Sequence, residues 1–317
     1  MFEFHLYQNN QKHQWDSFIQ SAKNGHFMFK RDFMEYHKER FTDHSLMIYL
    51  ENKLIALLPA HKNELKLSSH LGLSFGGFVT DKSMKLYKMI DLTKALIQNL
   101  CEQGFTEFIY KAIPQHYQTL FSNEDIYSLS LLGAQINRRD ACSVIDLRTN
   151  IGFEKGRRGC IKKAYQENLE FNDDTPLCDY FSMIENLLKE KYASKPIHNL
   201  EEMILLQNRF PENIKLYTAR KDQELLAGIW VFINEKVIKT QYIASTEKGR
   251  NLGAVDFIIN ELITNLYKDF YYFDFGTSVD QSENGFNPSL MAQKEMFGAR
   301  TVLCDWYELN LENQLSA

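Results

Sequence analysis

The sequence predicts an α/β protein with mixed α+β sheets, built as two tandem units over residues 1–150 and 151–317. Two observations carry this. The 317 residues are 44% hydrophobic, enough to fill two ordinary cores. One succession of patterns also occurs twice, with its parts at nearly constant separation: a helical stretch, a hairpin, a further strand, an amphipathic helix and an aromatic strand.

The first helical stretch, RDFMEYHKERF, sets Phe33, Met34, His37 and Phe41 along one face, and EEMILLQNRF echoes it down to the same Arg-Phe ending. A hairpin follows each. SLMIYLENKLIALLPAH turns at Asn52, and IKLYTARKDQELLAGIWVFI turns between Lys221 and Glu224. LKLSSHLGLSFGG and EKVIKTQYIAS supply a third strand. Next come helices with one apolar face, through Met89, Ile90, Leu96 and Ile97 in one copy and Val255, Ile258, Ile259 and Leu262 in the other. FTEFIYKA and FYYFDFG close the copies as aromatic strands. FEKGRRGCIKKAYQENLEF reads as a basic helix opening the second unit.

Composition limits the function classes. A net charge of −5 gives no global reason to bind nucleic acid or an anionic membrane, so such a partner requires a local patch. The five cysteines are scattered and form no CxxC pair, which predicts neither a disulfide framework nor a zinc site and suits a reducing cytoplasm. MFEFHLYQNNQKHQWD lacks the basic and apolar regions of a signal peptide, and no run is apolar enough to span a bilayer, so a soluble cytoplasmic protein is expected. No GxSxG, HExxH, P-loop or Rossmann fingerprint is present.

The tandem order, the basic helix and the motifs SHLGLSFGG, YKAIP with Tyr117 behind it, FDFGTS and QKEMFGAR resemble the FemAB/FemX group of the GNAT acetyltransferase superfamily. Within that group they resemble a branch associated with bacterial surface sugars. The likeness covers nearly the whole chain. It implies two GNAT-like acyl-CoA N-acyltransferase units in which the third strand and the strand after the helix part to admit the donor. The implied reaction moves an acyl group from acyl-CoA to an amine, here an amino sugar on a nucleotide or lipid carrier, in polysaccharide biosynthesis. The second unit is expected to hold donor and chemistry. An aminoacyl-tRNA donor, as in FemX enzymes, is the alternative, disfavoured by the acidity of the chain. A sugar- or ligand-binding protein without chemistry is a third reading.

Candidate residues follow. Lys294 matches the reaction-centre lysine of FemX ahead of Phe297-Gly298, where a fixed ammonium would stabilise the oxyanion of an attacked carbonyl. Glu295 or Asp274 is the expected proton acceptor, with Gln293 beside them as a substrate contact. Asp274, between Phe273 and Phe275, is expected on the opposite strand face from both, either at a ligand or capping the loop after Gly276. TEKGRNLGAVDF matches part of the acetyltransferase diphosphate loop [QR]xxGx[GA]; Gly249, Arg250, Asn251, Gly253 and Ala254 are its candidate donor contacts, although Val255 stands where Gly or Ala belongs. In the first unit, His70 in its strand and Lys111 are candidate acceptor contacts, set against plain structural roles, and the Gly76-Gly77 pair suggests close backbone approach by another element or a ligand. The run Lys155, Arg157, Arg158, Lys162 and Lys163 reads as a solvated helix face or a phosphate grip. No metal ligand set is expected.

Overall fold

The computed structural model describes residues 1–149, 151–192, 194–280 and 285–312. The chain forms two compact units, Met1–Asp140 with Leu303–Ala317, and Ala141–Val302. The division thus falls ten residues before the expected one, and the C-terminal strand returns to the first unit. It does so because Trp306–Asn310 pairs antiparallel with Glu107–Lys111.

In the first unit the hairpin Leu46–Leu50 and Lys53–Leu58 turns through Glu51 and Asn52 at φ of 52° and 61°, the pair of left-handed residues that a tight hairpin needs. The helix Leu86–Glu102 buries Leu92, Leu96 and Leu100 against Ile48, Leu58, Leu67 and Phe108. The expected third strand shortens to Lys66–Ser68, which runs parallel to Glu107–Lys111 for three rungs. His70 is therefore not a strand residue. It sits in the following loop at φ 57°, and its segment folds back into the gap beyond the rungs. There Ser69 N donates to Ile109 O at 2.9 Å, Gly76 N to Lys111 O at 2.9 Å and Ser69 Oγ accepts Lys111 N at 2.7 Å. The paired glycines serve this return: a Cβ would lie 1.9 Å from Ser69 O at Gly76 and 2.5 Å from Tyr110 Oη at Gly77.

The second unit carries the strands Glu170–Asn172, Ile214–Lys221, Glu224–Asn234, Val237–Ser245 and Tyr272–Thr277 in that spatial order, flanked by residues 141–146 of the next strand. Its hairpin turns at Asp222 and Gln223, again both left-handed. The amphipathic helix is broken into Glu247–Leu252 and Ala254–Asn260 by Gly253 at φ 73°, and ends in a wide π turn, Glu261–Leu266. It packs Phe257, Ile258 and Leu262 on Ile229, Ile238 and Phe273.

His37, His61 and His70 lie buried together around Phe41, with His70 at 5.4 Å from each of the other two rings. Burial holds all three neutral, pushing His37 down to about 4 and His70 well below its ordinary value. The unfolded chain takes up these protons near pH 6.5 and the folded unit does not. Stability is therefore full above 6.5 and falls as pH drops from there toward about 4, His37 accounting for about 3 kcal/mol. Chemical denaturation at pH 7.5 and 5 should show that loss, and His37→Leu should have a visibly shallower pH slope; an unchanged slope would refute the assignment.

Candidate active site at the parted strands

The parallel ladder between Val237–Ser245 and Tyr272–Thr277 has three rungs, the last Lys239 to Asp274. Beyond it the strands separate. Asp274 Oδ1 accepts Gly276 N at 2.6 Å, Gly276 adopts φ 69°, and the register against residues 142–146 is interrupted between Asp274 and Thr277. A cavity of about 360 Å³ opens there, with Ile243 and Ser245 on one side, Phe275 on the other and Phe297 and Lys294 at its end.

Lys294 ends the helix Pro288–Glu295, which Asn287 caps by accepting Leu290 N at 2.9 Å, with Pro288 in the first turn. Only 6% exposed, it donates from Nζ to Thr277 O at 2.7 Å and Gly276 O at 3.1 Å. Those carbonyls belong to the bent end of the strand. Burial pushes the ammonium down to about 8; Asp274 resists this and Lys239 adds to it. Phe273 and Phe275 point into the core and Asp274, also buried, faces away from it with Lys239. The loop-capping role of Asp274 and its place beside Lys294 thus coexist.

The polar triplet does not converge. Successive helical residues point about 100° apart, so Lys294 turns inward, Gln293 stays exposed at the cavity edge and Glu295 faces solvent away from the cavity. Glu295 is therefore poorly placed as the proton acceptor. In the first unit, His70 is buried among rings, and Lys111 Nζ donates to Leu73 O at 2.5 Å and lies 4.4 Å from the Trp306 ring centre. Both side chains are engaged structurally.

The glycines of the partial diphosphate loop are set by protein packing. Arg250, Gly253 and Ala254 line the cavity, whereas Gly249 and Asn251 do not. Both glycines are required by protein packing: a Cβ on Gly249 would stand 2.1 Å from Leu226 O, and one on Gly253 2.6 Å from Cys160 O. Thr246 Oγ1 already accepts Gly249 N at 2.9 Å, and Arg250 Nη1 donates to Ser245 O at 3.0 Å. Asp256, buried in the first turn after Gly253, pairs with Arg157 at 3.1 Å; burial raises its pKa and Arg157 opposes the rise. Arg157 thus leaves the expected surface run and lies 4.9 Å from the Phe297 ring centre. A diphosphate at this loop would meet the Asp256 carboxylate, although Arg157 pairs with it, so the loop disfavours that group. Among the described residues no cluster of His, Cys, Asp or Glu is arranged to hold a metal ion.

Asp256 in the cavity lining and Lys239 beside Asp274 are the residues that sequence reasoning missed, and Arg157 stood out only as part of the basic run. Lys239 left one trace, a charge on a strand whose neighbours Ile238 and Thr240 are buried.

The fold is shared with proteins of known structure. FemX aligns over 99% of this chain and 98% of its own with a TM-score of 0.71 at 10% identity. L-PGS from Bacillus licheniformis aligns over 93% and 90% with 0.59 at 12%, and a tandem GNAT protein from the clavulanic acid biosynthesis pathway over 98% and 99% with 0.56 at 10%. No protein-family model and no curated protein sequence matches the chain. The fold is thus that of tandem GNAT units, in the FemAB/FemX-like form.

With the lysines carrying ¹³C-methyl labels, NMR titration should find one of them with a midpoint near 8 that vanishes in Lys294→Met. Asp274→Asn should lower the midpoint and Lys239→Met should raise it. A Lys294 midpoint at the ordinary value near 10.5 would contradict the site geometry.

Proposed function

We propose that the protein is an N-acyltransferase whose second unit takes the donor carbonyl into the gap between the parted strands. The buried Lys294 ammonium at the end of that gap carries the reading. An acceptor amine attacks the carbonyl carbon, a C–N bond forms, and the carbonyl electrons move onto oxygen. Lys294 stabilises that oxyanion, an effect worth about 3 kcal/mol for one well-placed donor. The C–S or C–O bond to the leaving group then breaks. Asp274, while ionised, keeps Lys294 charged, and the proton that the amine loses passes to solvent, because neither Asp274 nor Glu295 lines the cavity.

The donor proposed from the family resemblance is an acyl-CoA, and the acceptor an amino sugar on a nucleotide or lipid carrier, used in the cytoplasm for surface polysaccharide. One observation favours a second donor. Asp256 paired with Arg157 at the loop disfavours a diphosphate there, which suits an aminoacyl ester of the kind carried by tRNA. Thermal melts distinguish the two, since a ligand that binds only the folded state raises the midpoint: stabilisation by an acyl-CoA supports the first and stabilisation by a charged tRNA the second.

With an active donor and acceptor pair, Lys294→Met should lower kcat about a hundredfold with KM nearly constant, the mark of a contact made mainly at the transition state. The rate should also fall above about pH 8 as Lys294 loses its proton. Cys142 lies close enough to Lys294 to act on its charge, and Cys142→Ser should remain active, because attack is direct. A rise in KM alone for Lys294→Met would reduce Lys294 to substrate binding, and an inactive Cys142→Ser would point to a covalent acyl intermediate.

A further inference from the structure

A second concavity of about 490 Å³ lies in the second unit, between the basic helix Lys155–Gln166 and the π turn Glu261–Leu266. Ile161 and Ile263 form its floor, Phe153 and Tyr165 line it, and Arg158 and Lys162 stand on its rim. The groove is built. The Tyr165 hydroxyl donates to Glu261 and accepts Asn260 Nδ2 at 3.1 Å, its ring packs edge-on to Phe257 at 5.2 Å, and Arg158 donates to Phe153 O. The π turn widens the helix where Ile263 and Thr264 meet the groove, a costly distortion that recurs at functional sites.

Its surroundings repeat the same chemistry. Ile151, Leu266 and Tyr165 are 60%, 51% and 48% exposed, and the helix Lys155–Gln166 carries no acidic residue. Arg157, the fifth cation of the run, is turned inward on Asp256. An apolar trough with exposed aliphatic shoulders and a cationic edge is complementary to a hydrocarbon chain that ends in an anionic head. An exposed acidic peptide would satisfy the rim and leave the trough empty.

From this we propose that the groove docks the protein on membranes containing anionic phospholipid, one acyl chain lying on Ile161 and Ile263 with its phosphate between Arg158 and Lys162. No helix among the described residues is long and apolar enough to cross a bilayer, so the attachment is peripheral. The inference does not depend on the transfer reaction.

Flotation of the full-length protein with vesicles tests it. The protein should float with vesicles of equal phosphatidylglycerol and phosphatidylcholine at 0.1 M salt, and not with phosphatidylcholine alone. Arg158→Glu/Lys162→Glu should weaken binding by about tenfold or more. Lys215→Glu/Lys248→Glu, an equal change of charge at residues outside the groove, should bind like the unaltered protein. Circular dichroism confirms folding of both variants. Failure to float with anionic vesicles, equal loss in the two variants, or release by millimolar inorganic phosphate would each overturn the proposal, the last by making the groove a plain anion site.

Discussion

The early parting of two parallel strands is the constraint on which the second unit depends. After Lys239 and Asp274 the ladder stops, and the backbone polar groups beyond it need other partners. Asp274 supplies one by accepting Gly276 N, and Lys294 supplies others by donating to the Gly276 and Thr277 carbonyls. A buried ammonium is costly, and these carbonyls together with Asp274 offset much of that cost. The same contacts fix the bent end of the strand and hold the Lys294 ammonium in the cavity lining.

The first unit meets the same constraint differently. Its parallel rungs also end after three residues, at Ser68 and Ile109. There the chain fills the gap with its own segment from Ser69 to Gly77, whose backbone pairs with Ile109 and Lys111. Glycine at 76 and 77 permits the close return, and the buried histidines lie at its base. The two units share a similar frame, and in the second an open gap remains, with Lys294 in its lining.

Much of this was legible in the sequence, because hairpins, amphipathic helices and aromatic strands are written in period and turn chemistry. Asn52 and the residues between Lys221 and Glu224 marked their turns correctly, and Lys294 stood out by its place before Phe297-Gly298. The rest depended on packing between distant segments. Glycines at 249 and 253 resembled a ligand loop in sequence, yet what each faces, Leu226 O and Cys160 O, is fixed by elements 23 and 93 residues away. Gln293, Lys294 and Glu295 looked like one cluster in line and became three directions on a helix. The boundary shifted because pairing of Trp306–Asn310 with Glu107–Lys111 outweighed position along the chain.

In the proposed reaction the gap receives a carbonyl whose oxygen meets Lys294. A crystal structure with an inert donor analogue, either an acyl-CoA thioether ketone or an amide-linked aminoacyl-RNA stem, tests it most directly. The acyl chain should lie between Ile243 and Phe275 with its carbonyl oxygen about 3 Å from Lys294 Nζ. An analogue bound with its carbonyl elsewhere, and Lys294 still held only by Gly276 and Thr277, would contradict it.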